Sequence, residues 1–254
     1  MPSTRSEWIN LLIIGLLMVA VGNLSVVWAE QWVPSGMAAL LVATAPFWAA
    51  ILEMARRGGE KISLRTAAGM LIGFLGVALL VTPGGAGRHF DARFLIGALA
   101  IQAGSFGWQY GTIRGKHSVT NVPIFVSAGW QMLLGGIVVL VVSLATGETS
   151  RLSFTTRSFA AAAYLTFVGS VIAYSAYVYA VAKLKTTTAS LYAYVNPVVA
   201  VILGFLVLHE ELTPTSIVAM LIILSGVALV QTAGGRRAKP PVEVTDAVAE
   251  RDAA

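Results

Sequence analysis

The chain has 254 residues, of which 57% are hydrophobic and 11% charged, with a formal net charge of +5 and no cysteine. An ordinary soluble domain carries about 25% charged residues, so most of this surface must face lipid, and the class is an all-α, polytopic membrane helix bundle. The missing cysteines exclude disulfides, thiolate chemistry and Cys-ligated metal, and the basic residues lie between apolar runs, where they set topology rather than bind nucleic acid.

A short polar start, Met1 to Glu7, precedes an uncharged stretch from Trp8 to Ala29, long enough to cross a bilayer. A signal peptide is the competing reading, but the apolar core is long, its basic start rests on Arg5 alone, and the pattern recurs seven more times. The second span is Ser35 to Ala55, with Pro46 in its middle and Glu53 near its end. The third runs from Leu64 to Val81 and is closed by Pro83-Gly84-Gly85. Further spans are expected over Phe94 to Ile113, Val122 to Ala145, Phe159 to Ala182, Thr186 to Leu208 and Ser216 to Thr232. From Gly234 to Ala254 the composition is that of a disordered tail.

Eight spans place both termini on one side. That side receives Arg5, Arg56, Arg57, Lys61, Arg65, Arg114, Lys116, Lys183, Lys185, Arg236, Arg237, Lys239 and Arg251, or 13 of the 17 basic residues. Arg88, Arg93, Arg151 and Arg157 fall on the other. The positive-inside rule then makes both termini cytoplasmic.

Part of the chain is written twice. With Pro46 set on Pro197, Ala38-Ala39-Leu40 meets Ala189-Ser190-Leu191, and after a one-residue slip Gly76-Val77-Ala78-Leu79 meets Gly226-Val227-Ala228-Leu229. The first span matches the sixth on the same 151-residue offset, Val27-Trp28-Ala29 on Val178-Tyr179-Ala180. Matching spans are five apart, so they cross the membrane in opposite directions. An inverted repeat of this kind permits two related conformations facing opposite sides. Residues 1–85 form an incomplete first repeat of three helices, and residues 86–233 a second of five.

Ser190-Leu191, Asn196-Pro197, Gly204, the His209-Glu210-Glu211-Leu212-Thr213-Pro214 turn and Ser225-Gly226-Val227-Ala228-Leu229 resemble the second half of an EamA-like protein of the drug/metabolite transporter superfamily. Ala38 to Leu80, with Pro46, Glu60, Gly73 and Gly76, is similar to the end of its first half. The resemblance covers roughly Ile9 to Thr232 and implies ten helices in two inverted five-helix repeats. It also implies secondary transport of small metabolites, amino acids or drugs across the bacterial cytoplasmic (inner) membrane. Efflux is one direction of such transport. The first two of the ten helices have no counterpart here. Two readings follow: a start upstream of Met1, or a shortened member. The latter is either a non-transporting remnant or a subunit that homodimerises to complete its bundle.

Polar side chains within spans are costly in lipid and are expected to face the bundle or a wet cavity. Ser170, Tyr174 and Tyr177 share one helical face, and Thr188, Tyr192 and Asn196 another. Gln102, Ser105 and Gln109 form a third row, Gln131 sits mid-span, and Asn23 is the repeat equivalent of Tyr174. Asn23, Gln102, Gln109, Gln131, Tyr174, Tyr192 and Asn196 are therefore the candidate substrate-binding residues. The competing reading is interhelical hydrogen bonding, with Tyr164 and Tyr179 as interfacial anchors. Trp48 and Trp108 either stack on a ligand or pack.

Pro46 and Pro197 are expected to kink their helices. Gly15, Gly22, Gly73, Gly76, Gly135 and Gly136 are expected to let helices approach closely. Glu53 precedes Arg57 by four residues, the order of a solvated surface pair, and no deeply placed carboxylate for proton coupling is expected. Glu60, Glu210 and Glu211 are assigned to turns, and His89, His117 and His209 to loops. Nothing reads as a catalytic site, a metal centre, a cofactor site or a P-loop. The expected partners are a small-molecule solute and the bilayer.

Overall fold

A computed structural model describes residues 1–33, 35–59, 61–81, 92–118, 120, 122–148, 155–208 and 213–234. Among them there is no strand: the chain is an all-helical bundle. The tail, Pro83 to Gly85, and the turn and loop roles expected of Glu60, His89, His209, Glu210 and Glu211 lie outside these residues.

Helix α1 (Arg5–Ala29) begins where the sequence supplies a capping box. Thr4 Oγ1 accepts the Glu7 backbone N–H at 3.2 Å, and Glu7 Oε2 accepts that of Thr4 at 3.2 Å. The helix therefore starts three residues before the apolar run. Its middle, Leu16–Asn23, is π-helical.

The second span is not one helix. It divides into α2 (Ser35–Val42) and α3 (Ala45–Ala55), with Pro46 in the first turn of α3. A proline there lacks the N–H that would bond the Val42 carbonyl, and it presets the helical φ of the new start. Helix α4 (Leu64–Val81) matches its expected bounds. Helix α5 (Ala92–His117) continues past the apolar run through Arg114 and Lys116, so His117 ends a helix rather than lying in a loop. Helix α6 is Ile124–Ala145. Helix α7 comprises Thr156–Tyr164, a π-helical Leu165–Tyr174 and Ser175–Lys183. The seventh span also divides, into α8 (Thr186–Ala189) and α9 (Tyr192–Leu208), with Pro197 inside α9. Helix α10 is Pro214–Gly234.

Among the described residues five stretches are long and apolar enough to cross a membrane: Arg5–Ala29, Met37–Ala55, Ile124–Ala145, Ser158–Lys183 and Pro214–Ala233. Leu64–Leu80 is a shorter apolar helix. The glutamines and glycines of α5 keep its hydropathy below that set.

Two packing units hold the bundle. In one, α4 crosses α10 closely around Met70, Val77, Ile223, Val227 and Val230, with Tyr194 from α9 fully buried beside them. A Cβ on Gly226 would lie 2.5 Å from the Gly73 nitrogen, and one on Gly73 2.6 Å from the Tyr194 ring, so only glycine fits. In the other, α1 packs on α5, α6 and α7 around Ile14, Met18, Ala128 and Tyr174. Here a Cβ on Gly135 would lie 2.6 Å from the Gly15 carbonyl oxygen. Gly136 has nothing within 4 Å and takes no part in a close crossing.

Candidate functional site

Between α1, α5, α6 and α7 lies a cavity of about 730 Å³, within the size range of small-molecule sites. One end of it lies at the end of the bundle that holds the N-terminus. Thr4, Glu7, Asn10, Arg114, Lys116, His117, Ser118 and Thr120 surround it there. The same face gathers the end of α3, the end of α7 and the start of α8. Thr120 Oγ1 donates to Glu7 Oε1 at 3.0 Å, and Lys116 Nζ donates to the Leu184 carbonyl at 2.5 Å.

The walls are apolar: Leu11 and Ile14 on α1, Val178 and Val181 on α7. The floor is polar and sulfur-bearing, formed by Met18, Thr112, Gln131 and Tyr177. The hydroxyls of the floor are fixed by a closed set of bonds. Trp108 Nε1 donates to Tyr177 Oη at 3.0 Å. Thr112 Oγ1 lies 2.7 Å from Tyr177 Oη and donates to the Trp108 carbonyl at 2.8 Å. The single Thr112 proton is thereby used, so Tyr177 donates to Thr112. Tyr174 Oη donates to Gln131 Oε1 at 2.8 Å, with Met18 Sδ 3.8 Å away. The Gln131 amide nitrogen makes no hydrogen bond among the described residues. The Tyr192 ring meets that of Tyr177 edge-on at 5.3 Å between centroids. A separate apolar cluster of Ala29, Val33, Ala38 and Ile101 lies further along α1 and α5.

Of the candidates Gln131 lines the cavity; Tyr174 is hydrogen-bonded to it without being part of the lining, and Tyr192 is in ring contact behind Tyr177. The other candidates lie elsewhere. Gln102 clasps the break between α2 and α3. Its Oε1 accepts from Thr44 Oγ1 and Trp48 Nε1, both at 2.9 Å, and its Nε2 donates to the Leu41 carbonyl at 3.0 Å. Trp48 is thus bonded within the protein. Gln109 has no exposed surface, and neither amide atom has a hydrogen-bond partner among the described residues. Asn23 and Asn196 are exposed.

Tyr177, which shares a helical row with Tyr174, and Thr112, which continues the row Gln102, Ser105 and Gln109, were within reach of the sequence pattern. Met18 carries no sequence signal that separates it from core methionine.

The expected Glu53–Arg57 surface pair is not formed. Glu53 has no exposed surface. Its Oε2 accepts from Arg56 Nε at 3.4 Å, and its Oε1 accepts from Thr186 Oγ1 at 2.8 Å and lies 3.4 Å from His117 Nε2. The turn after α3 folds over it. Gly58 takes φ +73°, and a Cβ on Gly59 would lie 1.7 Å from the Glu53 carbonyl oxygen, so both positions require glycine. No group of three or more potential metal-ligating side chains occurs among the described residues.

An all-helical apolar bundle enclosing a solute-sized cavity with a hydrogen-bonding floor has the form expected of a membrane transporter. The model of the EamA-like transporter family matches residues 1–82 and 95–232, and the chain belongs to that family. It is 37% identical over 225 residues to the uncharacterized inner membrane transporter YedA of Escherichia coli, covering 87% of this chain and 70% of the relative. It is 27% identical over 213 residues to a probable terminal-alkyne amino-acid exporter of Streptantibioticus cattleyicolor, covering 83% of this chain and 69% of that protein. A crystal structure 18% identical in sequence shares the fold, with a TM-score of 0.75 over 91% of this chain and 78% of the other. The chain is an integral membrane protein of a family of transporters, not an enzyme.

Proposed function

We propose that the protein is a secondary transporter of a small organic solute in the bacterial inner membrane, working by alternating access, with the cavity as its binding site. The observation that carries this reading is the form of the cavity. Its lining runs from polar and charged groups at the end that holds the N-terminus to Tyr177, Thr112 and Gln131, and we read the first of these as its open end. A single-sided opening is one of the two states alternating access requires. By the distribution of basic residues the open face is cytoplasmic, the chain crosses eight times, and the structure is inward-facing. The likeness to a probable amino-acid exporter favours efflux.

Two further observations support inverted repeats. The π-helical stretches of α1 and α7 end at Asn23 and Tyr174, the residues paired by the 151-residue offset. Gly76 and Gly226, also paired, both lie where α4 crosses α10.

The test is exchange of a metabolite extract into proteoliposomes, resolved by mass spectrometry. One or a few solutes should accumulate with the parent, and accumulation should fall at least tenfold in Tyr177→Ala. Absence of any protein-dependent flux would overturn the reading.

A second reading, a subunit that homodimerises to complete its bundle, is favoured by α7. Phe159, Leu165, Phe167, Val171 and Ile172 on that helix are 57–72% exposed. Native mass separates the two: a monomer fits the first, a dimer the second.

A further inference from the structure

We infer that the cavity selects an organic anion: a solute with an apolar or aromatic body and one carboxylate, the carboxylate held by Arg114. This rests on the cavity being the solute site and adds the charge class that it accepts.

Among the described residues four acidic or basic side chains line the cavity, and three are engaged with the protein. The Glu7 carboxylate accepts from the backbone N–H groups of Ser3 and Thr4 and from the hydroxyls of Ser3 and Thr120. Lys116 Nζ is drawn to the link between α7 and α8, donating to the Leu184 carbonyl and to Thr186 Oγ1. The His117 ring turns to Glu53.

Arg114 differs. Its Nε donates to Asn10 Oδ1 at 2.7 Å, which fixes the guanidinium plane across the gap between α5 and α1. Among the described residues its two Nη groups have no hydrogen-bond or ion-pair partner. The side chain is half-buried and lines the cavity. An arginine held at Nε with a free terminal edge offers parallel donors to a carboxylate. Lysine at the same place would lack that fork.

The rest of the cavity fits the other end of such a solute. Arg114 lies six residues from Trp108 on α5, a rise of roughly 9 Å. That interval is walled by Ile14, Val178 and Val181 and ends on the Tyr177 ring and the Met18 thioether. An aromatic bicycle with a short acid arm spans a length of that order. The free Gln131 amide nitrogen gives the body a single donor. The one carboxylate in the lining, Glu7, is already held by backbone and hydroxyl donors, and with Arg114 and Lys116 the charged groups there carry a positive excess that disfavours an organic cation.

The test is isothermal titration calorimetry of the full chain in lipid nanodiscs with three ligands of one shape: indole-3-acetate, indole-3-acetamide and tryptamine. The acetate should bind at least tenfold more tightly than the amide, and tryptamine more weakly than either. In Arg114→Gln the preference for acetate over amide should collapse to less than about twofold, while an unchanged thermal unfolding midpoint reports that the bundle is intact. Arg114→Lys should restore only part of the preference. Equal binding of acetate and amide by the parent would overturn the inference and leave the cavity as the solute site. An undiminished acetate preference in Arg114→Gln would do the same. Failure of all three to bind would overturn the inference together with the reading of the cavity as the solute site.

Discussion

Thr186 Oγ1 donates to Glu53 Oε1 at 2.8 Å, joining the start of α8 to the end of α3 through a carboxylate with no exposed surface. A hydrogen bond to a buried charge contributes about 1.5–3 kcal/mol, and its loss leaves that charge under-satisfied. Thr186→Val keeps the shape and removes the donor. Its thermal unfolding midpoint in detergent is expected to fall by the equivalent of that energy. An unchanged midpoint would mean that Arg56 and His117 suffice.

Gly135 and Gly136 are neighbours with opposite expectations. In Gly135→Ala the new Cβ meets the Gly15 carbonyl oxygen and Val19 Cβ, both at 2.6 Å. Helix α1 must then move from α6, at a cost of about 1–3 kcal/mol. Gly136→Ala enters open space and gains helix propensity of up to about 1 kcal/mol. Comparing the two melting curves tests the crossing directly. Similar losses in both would contradict it.

Gln102 holds three partners at the break in the second span. Gln102→Met would leave the Thr44 hydroxyl, the Trp48 N–H and the Leu41 carbonyl without this partner. The expected loss is at least about 2 kcal/mol of stability, read as reduced folded yield and a lowered midpoint. Full stability with lost flux would instead place Gln102 among the solute contacts.

Gln109, two turns along the same helix, is expected to respond the other way. Both its amide atoms are buried and unpaired among the described residues. Gln109→Met keeps the length of the side chain and removes the unmet groups, and is expected to raise stability by about 1–3 kcal/mol. A fall of that size would show that a bound water or solute pairs the amide.

The helices were legible because apolar runs of span length bounded by turns and basic residues leave little choice in lipid. Thr4 and Glu7 even mark the start of α1. What hydropathy does not carry is the rotation of each helix about its axis. Asn196 and Ala45 are paired by the repeat, yet Ala45 is buried, on a helix against which α5 packs, and Asn196 is exposed. Glu53 departs from its sequence expectation for a related reason. Its position near a span end suggested solvent, but His117 and Thr186 reach it from segments 64 and 133 residues away. Spacing within one helix pointed to Arg57 and could not report those contacts. Arg114 was read as a topology signal. Its free edge became visible only once Asn10 and the engaged neighbours were in place.

The most direct test of the central claim, a solute cavity open to the cytoplasm, uses the absence of cysteine from the chain. A single cysteine at Val178, on the cavity wall, can be probed with a membrane-impermeant thiol reagent in inside-out and right-side-out vesicles. The account predicts labelling from the cytoplasmic face, slower labelling from the other face, and protection by a transported solute. Labelling from the outer face alone, or none from the cytoplasmic face, would contradict it.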